Sequence, residues 1–215
     1  MLAKGGFDVL RAALFAGTAG YVDAICFFML GASFGSGMTG AFAANMTGNL
    51  VELGIGAAQG YWARVGWLGA IMVAYLLGIV AARAVLWAGS SARVLLLIEA
   101  GLIALAATNL LGLAGIPVLA LALGAQNQGA RHAGLDVNVG FVTGDFQQLG
   151  SHLVKGRPPI EPKPAGRPSL ILTVLVFYAI GAAVGTFATG VGTVMLTIPA
   201  AAVAAAGLLP GRGIR

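Results

Sequence analysis

Two short strings hold most of the side chains in this 215-residue chain that could do chemistry inside an apolar environment. They are Asn45-Met46-Thr47-Gly48-Asn49-Leu50-Val51-Glu52 and Thr143-Gly144-Asp145-Phe146-Gln147-Gln148. Upstream of them stand Gly20-Tyr21-Val22-Asp23-Ala24 and Gly124-Ala125-Gln126-Asn127-Gln128. Asn45, Asn49 and Glu52 fall at i, i+4 and i+7, which predicts one helical stripe; Asp145, Gln148 and His152 at i, i+3 and i+7 predict a second. Carboxylates and amides in such stripes can bind a small cation, carry a proton or hydrogen-bond a polar solute. The candidate binding residues are therefore Asp23, Asn45, Thr47, Asn49, Glu52, Gln126, Asn127, Thr143, Asp145 and Gln148. Arg131 is a candidate charge partner for Asp145 or Asp23, and His152 a candidate proton relay. Against this stands a structural reading, in which amides join helices at about 0.6–2 kcal/mol each. Glu99, with Arg93 behind it, reads as an interfacial pair rather than a site.

The two strings align as an internal repeat. Thr47-Gly48-Asn49-Leu50-Val51-Glu52-Leu53-Gly54 matches Thr143 to Gly150 at four identical positions, with Asn49 facing Asp145. In the upstream pair Asp23 faces Asn127. Asp23 precedes Thr47 by 24 residues, but Asn127 precedes Thr143 by 16. A local tandem copy, Phe34 to Ala41 followed by Phe42 to Asn49, accounts for the extra eight. The reading is a duplicated half, residues 1–115 and 116–215, with a later insertion in its first copy.

Elements that could position these residues must be membrane helices. Apolar residues make up 59% of the chain and charged residues 9%, with mean hydropathy +0.93. A soluble domain carries about 25% charged residues. The bilayer is thus the expected partner, and the net charge of +5 is a matter of topology rather than nucleic-acid binding. One cysteine, Cys26, excludes an intramolecular disulfide, and two histidines are too few for a zinc centre. No P-loop, dinucleotide fingerprint or zinc-helix motif occurs, so no cofactor or metal is expected.

The fold class expected is all-α, a polytopic transmembrane bundle of six to eight spans. Candidate spans lie near 7–31, 38–58, 62–87, 93–114, 116–133, 138–155, 169–189 and 191–209. The second, fifth and sixth are short or Gly-rich and could instead be broken or re-entrant. Residues 155–168 contain five of the eight prolines and four cations and read as a solvated connector. Eight spans with the N-terminus inside put Lys4, Arg11, Arg64, Lys155, Arg157, Lys163, Arg167, Arg212 and Arg215 on the cytoplasmic side, with Arg83, Arg93 and Arg131 opposite.

At Gly20-Tyr21-Val22-Asp23-Ala24, Ala44-Asn45-Met46-Thr47-Gly48-Asn49, Gly124-Ala125-Gln126-Asn127 and Thr143-Gly144 the chain resembles the YoaK-like family of bacterial inner-membrane proteins, a domain of unknown function. The resemblance runs over most of the chain and departs from the family pattern in the eight-residue insertion before Asn45. It implies a small multi-pass protein of the bacterial cytoplasmic membrane and no settled substrate.

Duplicated halves with polar, Gly-interrupted helices point to a transporter or channel for a small solute or ion, with proton or cation coupling. Four spans per half would make the repeats parallel, and three would make them inverted. The alternatives are a membrane-embedded enzyme using paired aspartates and a non-catalytic scaffold. The absence of a metal cluster or phosphate-binding motif speaks against an enzyme. Gly181-x-x-x-Gly185 allows helix packing or a homodimer.

Overall fold

The computed structural model describes residues 2–34, 40–132, 135, 137–140 and 167–209. Seven α-helices occur among them, and no strand. They are α1 (Leu2–Phe34), α2 (Met46–Ala58), α3 (Trp62–Trp87), α4 (Ala92–Ala107), α5 (Gly115–His132), α6 (Pro168–Ala188) and α7 (Thr197–Leu208). Residues 141–155 of the predicted span at 138–155, residues 155–166 of the connector and most of the first tandem copy lie outside the described residues, and residues 138–140 at the start of that span are not helical.

Local chemistry sets the helix ends. Asn45 caps α2, its side-chain oxygen accepting the Gly48 N–H at 3.1 Å. Pro168 stands at the start of α6, where no intrahelical N–H is needed. Gly89, at φ +87°, turns the chain from α3 into α4 in a conformation that a side chain would resist.

Contacts between helices fix their directions. Asp8 pairs with Arg167 at 2.5 Å, and Gly17 and Tyr21 on α1 touch Gly181 and Gly185 on α6, so α1 and α6 run parallel. α4 and α5 run antiparallel, with Leu95 near Gly129, Glu99 bonded to Gln126, and Ala106 near Gly115. α4 and α7 are also antiparallel, since Arg93 donates to the Gly207 carbonyl and Thr193, just before α7, to that of Ala107. Gly78 meets Leu121 and Ala82 clusters with Ala125, so α3 runs parallel to α5. Arg11 near the start of α1 donates to the Leu209 carbonyl just after α7, and the Tyr21 hydroxyl donates to the Met195 carbonyl just before it, so α1 and α7 are antiparallel. Hence α1, α4 and α6 point one way, while α3, α5 and α7 point the other.

α2 does not reverse this order. It lies antiparallel to α3: its end is joined to the start of α3 through the Tyr61 N–H on the Gly56 carbonyl and Gly56 against Val65, while Ala44, just before it, shares Gly140 as a neighbour with Tyr75, half-way along α3. Its 13 residues rise only about 20 Å, and residues 40–45 before it are not helical. Gly40 lies against the backbone of Phe27, and Ala44 against Asp23. The chain therefore leaves α1, folds back along it to mid-height, and returns as α2 to the end from which it came. The expected full span over 38–58 is corrected to a short helix behind an irregular descending segment.

That correction moves charges. Arg11, Arg83, Arg93, Arg131 and Arg167 all lie toward the end of the bundle where α1 begins, and Arg64 lies toward the other. The expectation that Arg83, Arg93 and Arg131 face away from Arg11 fails because α2 adds no crossing.

Three helices are long and apolar enough to cross a membrane: Phe7–Ser33, Trp62–Trp87 and Pro168–Ala188. α3 presents Val73, Leu76, Leu77 and Val80 outward, and α6 presents Leu172, Ile180 and Val184. Trp62 and Trp87, 69% and 92% exposed, bracket α3 at a separation of about 38 Å along the axis, where interfacial aromatics belong. This is a membrane protein, and its buried core runs through α1, α3, α4, α5, α6 and α7.

Candidate functional site

Two helix crossings bring the backbones of their partners into direct contact. A Cβ on Gly20 would lie 2.0 Å from the Tyr178 carbonyl oxygen, and one on Gly181 would lie 2.0 Å from that of Gly17. α1 and α6 therefore touch without side chains between them, as small residues permit in membranes. One turn on from Gly20, Asp23 then meets the Tyr178 hydroxyl. The second crossing has the same form. A Cβ on Gly78 would lie 2.1 Å from the Leu121 carbonyl, and one on Gly124 would lie 2.2 Å from that of Tyr75. One turn on from Gly124, Asn127 adjoins the Tyr75 hydroxyl.

Asp23 is 2% exposed and fully engaged. Its Oδ2 accepts the Tyr178 hydroxyl at 2.5 Å, and its Oδ1 accepts the Ala44 N–H at 2.6 Å, with the amides of Ala43 and Asn45 adjoining. The carboxylate thus sits just before α2 and satisfies amides of the non-helical segment that leads into it. Asn49 does matching work on the same segment. Its Oδ1 accepts the Phe42 N–H at 2.8 Å while its Nδ2 donates to the Phe42 carbonyl at 2.6 Å. One buried side chain therefore supplies both partners that Phe42 lacks in an irregular segment.

From the other side of the bundle, Gly140 approaches the same place. A Cβ on it would lie 3.1 Å from the Ala44 Cβ and 3.9 Å from the Tyr75 hydroxyl. Tyr75 lies within electrostatic range of Asp23 and Tyr178. The Oδ1 of Asn127 is buried without a hydrogen-bond partner among the described residues. Asp23, Tyr178, Ala44, Gly140, Tyr75 and Asn127 consequently form one chain of neighbours through the middle of the protein.

The remaining predicted residues divide. Asn45 is consumed as a helix cap. Thr47 is exposed on α2. Glu52 accepts from Arg64, whose side chain is 3% exposed, so this pair ties α2 to α3 rather than facing the centre. The stripe of Asn45, Asn49 and Glu52 is thus spent on three separate tasks. Gln126 donates to Glu99 at 2.7 Å, away from Asn127's neighbours. Arg131 is exposed at the end of α5 and makes no ion pair with Asp23. Thr143, Asp145, Gln148 and His152 lie outside the described residues.

Sequence reasoning missed three participants. Tyr75 and Tyr178 each precede a contact glycine by three residues, as Tyr75-x-x-Gly78 and Tyr178-x-x-Gly181, and that shared spacing was the available signal. Glu99 does not pair with Arg93, which bonds Gly207; it is 1% exposed and faces Gln126. No group of three His, Cys, Asp or Glu that could hold a metal occurs among the described residues. A separate cleft of about 370 Å³ lies between α1 and the turn after α6, lined by Ile25, Phe28, Met29, Ala32, Thr189, Gly192 and Thr193. It is apolar and contains none of the central polar residues.

No curated protein and no solved structure matches the chain. The family model described as a protein of unknown function (DUF1275) matches residues 11–209, in agreement with the resemblance drawn from the Asp23 and Asn45–Asn49 motifs, and the chain belongs to this family.

Proposed function

We propose that the protein is a small-solute or ion transporter made of two inverted halves, with its solute site at the meeting of two irregular segments in mid-membrane. The observation that carries this reading is the approach of Ala44 to Gly140 beside Asp23, Tyr75 and Asn127. Irregular backbone at membrane depth is tolerated only where protein or an aqueous cavity satisfies it, and transporter sites are built from such broken elements.

Duplication is supported by equivalent contacts. Gly17, Gly20 and Asp23 on α1 meet Tyr178 and Gly181 on α6 as Leu121, Gly124 and Asn127 on α5 meet Tyr75 and Gly78 on α3. The first helix of the first half, α1, packs on α6 of the second, and the first helix of the second half, α5, packs on α3 of the first. Because α1 and α5 point in opposite directions, the halves are inverted, and six crossings result, with α2 as a re-entrant element. In this topology Arg11, Arg83, Arg93, Arg131 and Arg167 belong to the side where α1 begins, and among the described arginines only Arg64 lies opposite. Arg64 is neutralised by Glu52. On the positive-inside tendency this makes the α1-start side cytoplasmic.

Asp23 holds a cation or proton during the cycle, and Asn127 with Tyr75 orients a polar solute. The scaffold alternative draws on the same fact that Asp23 is fully hydrogen-bonded. Uptake of candidate polar solutes and cations into proteoliposomes separates the two. Wild-type flux that Asp23→Asn abolishes, with unfolding temperature nearly unchanged, is the expected result. Equal flux in wild type and variant removes the carboxylate mechanism. Thiol labelling of the single variants Ser90→Cys and Asn109→Cys tests the topology. The thiol introduced in the α3–α4 turn is expected to react from the cytoplasm, and the one introduced after α4 from outside. The reverse pattern would restore eight spans.

A further inference from the structure

A second carboxyl group is buried in the α4–α5 interface, away from Asp23. Glu99 is 1% exposed and Gln126 is 1% exposed. The Gln126 Nε2 donates to Glu99 Oε1 at 2.7 Å, while Glu99 Oε2 is buried with no hydrogen-bond partner among the described residues. Around it α4 contributes the buried Leu95, Leu96 and Ile103. No titratable residue occurs on α7, which also packs on α4. On α5, Arg131 and His132 are exposed at the helix end. On α3, Arg83 is exposed and Tyr75 faces Asn127 and the field of Asp23. On α4 itself Arg93 is turned to the Gly207 carbonyl. No described cation therefore stands against the free oxygen.

The motif does not demand this polar pair. In the alignment of Gly20 to Ala24 with Gly124 to Gln128, Gln126 corresponds to Val22, a fully buried valine on α1. The first helix of the other half packs at that position with no amide.

We propose that Glu99 is a proton-binding site, occupied as a neutral acid with its proton on Oε2 and its Oε1 held by Gln126. A metal ion would need several oxygen ligands, and only one free oxygen is present among the described groups there. A proton needs one. An ionised carboxylate with a single hydrogen bond is a poor occupant of a buried helix interface, whereas the acid leaves no unpaired charge. Gln126 fixes the side chain so that the proton enters and leaves at the same oxygen. In the transporter proposed above, this site supplies proton coupling separate from the solute site; that role rests on the transport reading, while the proton occupancy does not.

Infrared difference spectroscopy on protein reconstituted in liposomes tests the occupancy without any solute. The wild type is expected to show a carboxylic-acid C=O band that disappears as pH is raised, is retained in Asp23→Asn and is absent in Glu99→Gln. The same band in Glu99→Gln, with an unchanged unfolding temperature, would overturn the proposal. Loss of the Glu99 band on adding sodium ions at fixed pH would also overturn it, by showing a metal cation in place of the proton. In flux assays Glu99→Gln is expected to retain downhill solute movement and lose accumulation driven by a pH gradient; gradient-driven accumulation equal to wild type would refute the coupling role. A wild-type protein that transports nothing defeats the transporter reading and leaves the infrared result to decide Glu99.

Discussion

The α1–α6 crossing and the α3–α5 crossing are built alike and charged differently. In both, glycines bring one backbone onto a partner's carbonyl, and one turn later a polar side chain meets a tyrosine hydroxyl. In the first that side chain is Asp23, with both oxygens engaged and an irregular segment pinned beneath it. In the second it is Asn127, with an unpartnered oxygen among the described residues and Gly140 nearby. Packing geometry is thus carried by glycine and the difference between the crossings by one acid against one amide.

The sharpest way to break this comparison is to test whether the glycine contacts are equivalent. Gly20→Ala and Gly124→Ala each put a methyl group against a backbone carbonyl that cannot rotate away. Each is expected to destabilise by about 3 kcal/mol or more, read as loss of the thermal transition in detergent. A large effect at one position only would show that the crossings differ in packing as well as charge. A smaller effect separates the polar pairs. Asp23→Ala orphans the Ala44 N–H and the Tyr178 hydroxyl and should cost about 2–4 kcal/mol; Asn127→Ala should cost about 1 kcal/mol, because its oxygen already lacks a partner among the described residues. Equal costs, measured by denaturant or thermal unfolding, would erase the distinction between the two crossings. The smallest effect belongs to the ion pair that joins α1 and α6 at their starts. Asp8 and Arg167 are 31% and 52% exposed in their side chains, and Asp8→Asn should change stability by less than about 1 kcal/mol. A greater loss would mean that the crossing is held from its end rather than by its glycines.

Some of the site was legible before the fold was known. Asp23 and Asn49 stand out because a polar side chain in an apolar run must be satisfied by protein, and both are. The Asp23–Asn127 correspondence was equally readable, since it depends on the order of neighbours along the chain. Other features were hidden. Asn45, Asn49 and Glu52 share a helical period, yet periodicity does not say that one caps, one serves a loop backbone and one meets Arg64. Tyr178 lies 155 residues from Asp23, and no local pattern joins them. Glu99 looked interfacial because Arg93 is near in sequence, but the two side chains leave α4 toward different neighbours.

Composition alone put this chain in a bilayer, because 59% apolar residues exceed what a water-soluble globule of this length can hide. Residue type and local spacing singled out Asp23 and Asn127 among the ten residues expected at a site, and those two lie along the central chain of neighbours. Direction was decided elsewhere. A hydrophobic run reads the same whether it crosses or turns back, and only the contacts of Gly40 with Phe27 and Ala44 with Asp23 tell that the chain re-enters before α2. That single reversal sets which helices are antiparallel and which end gathers the arginines, because every later element inherits its sense from the one before it.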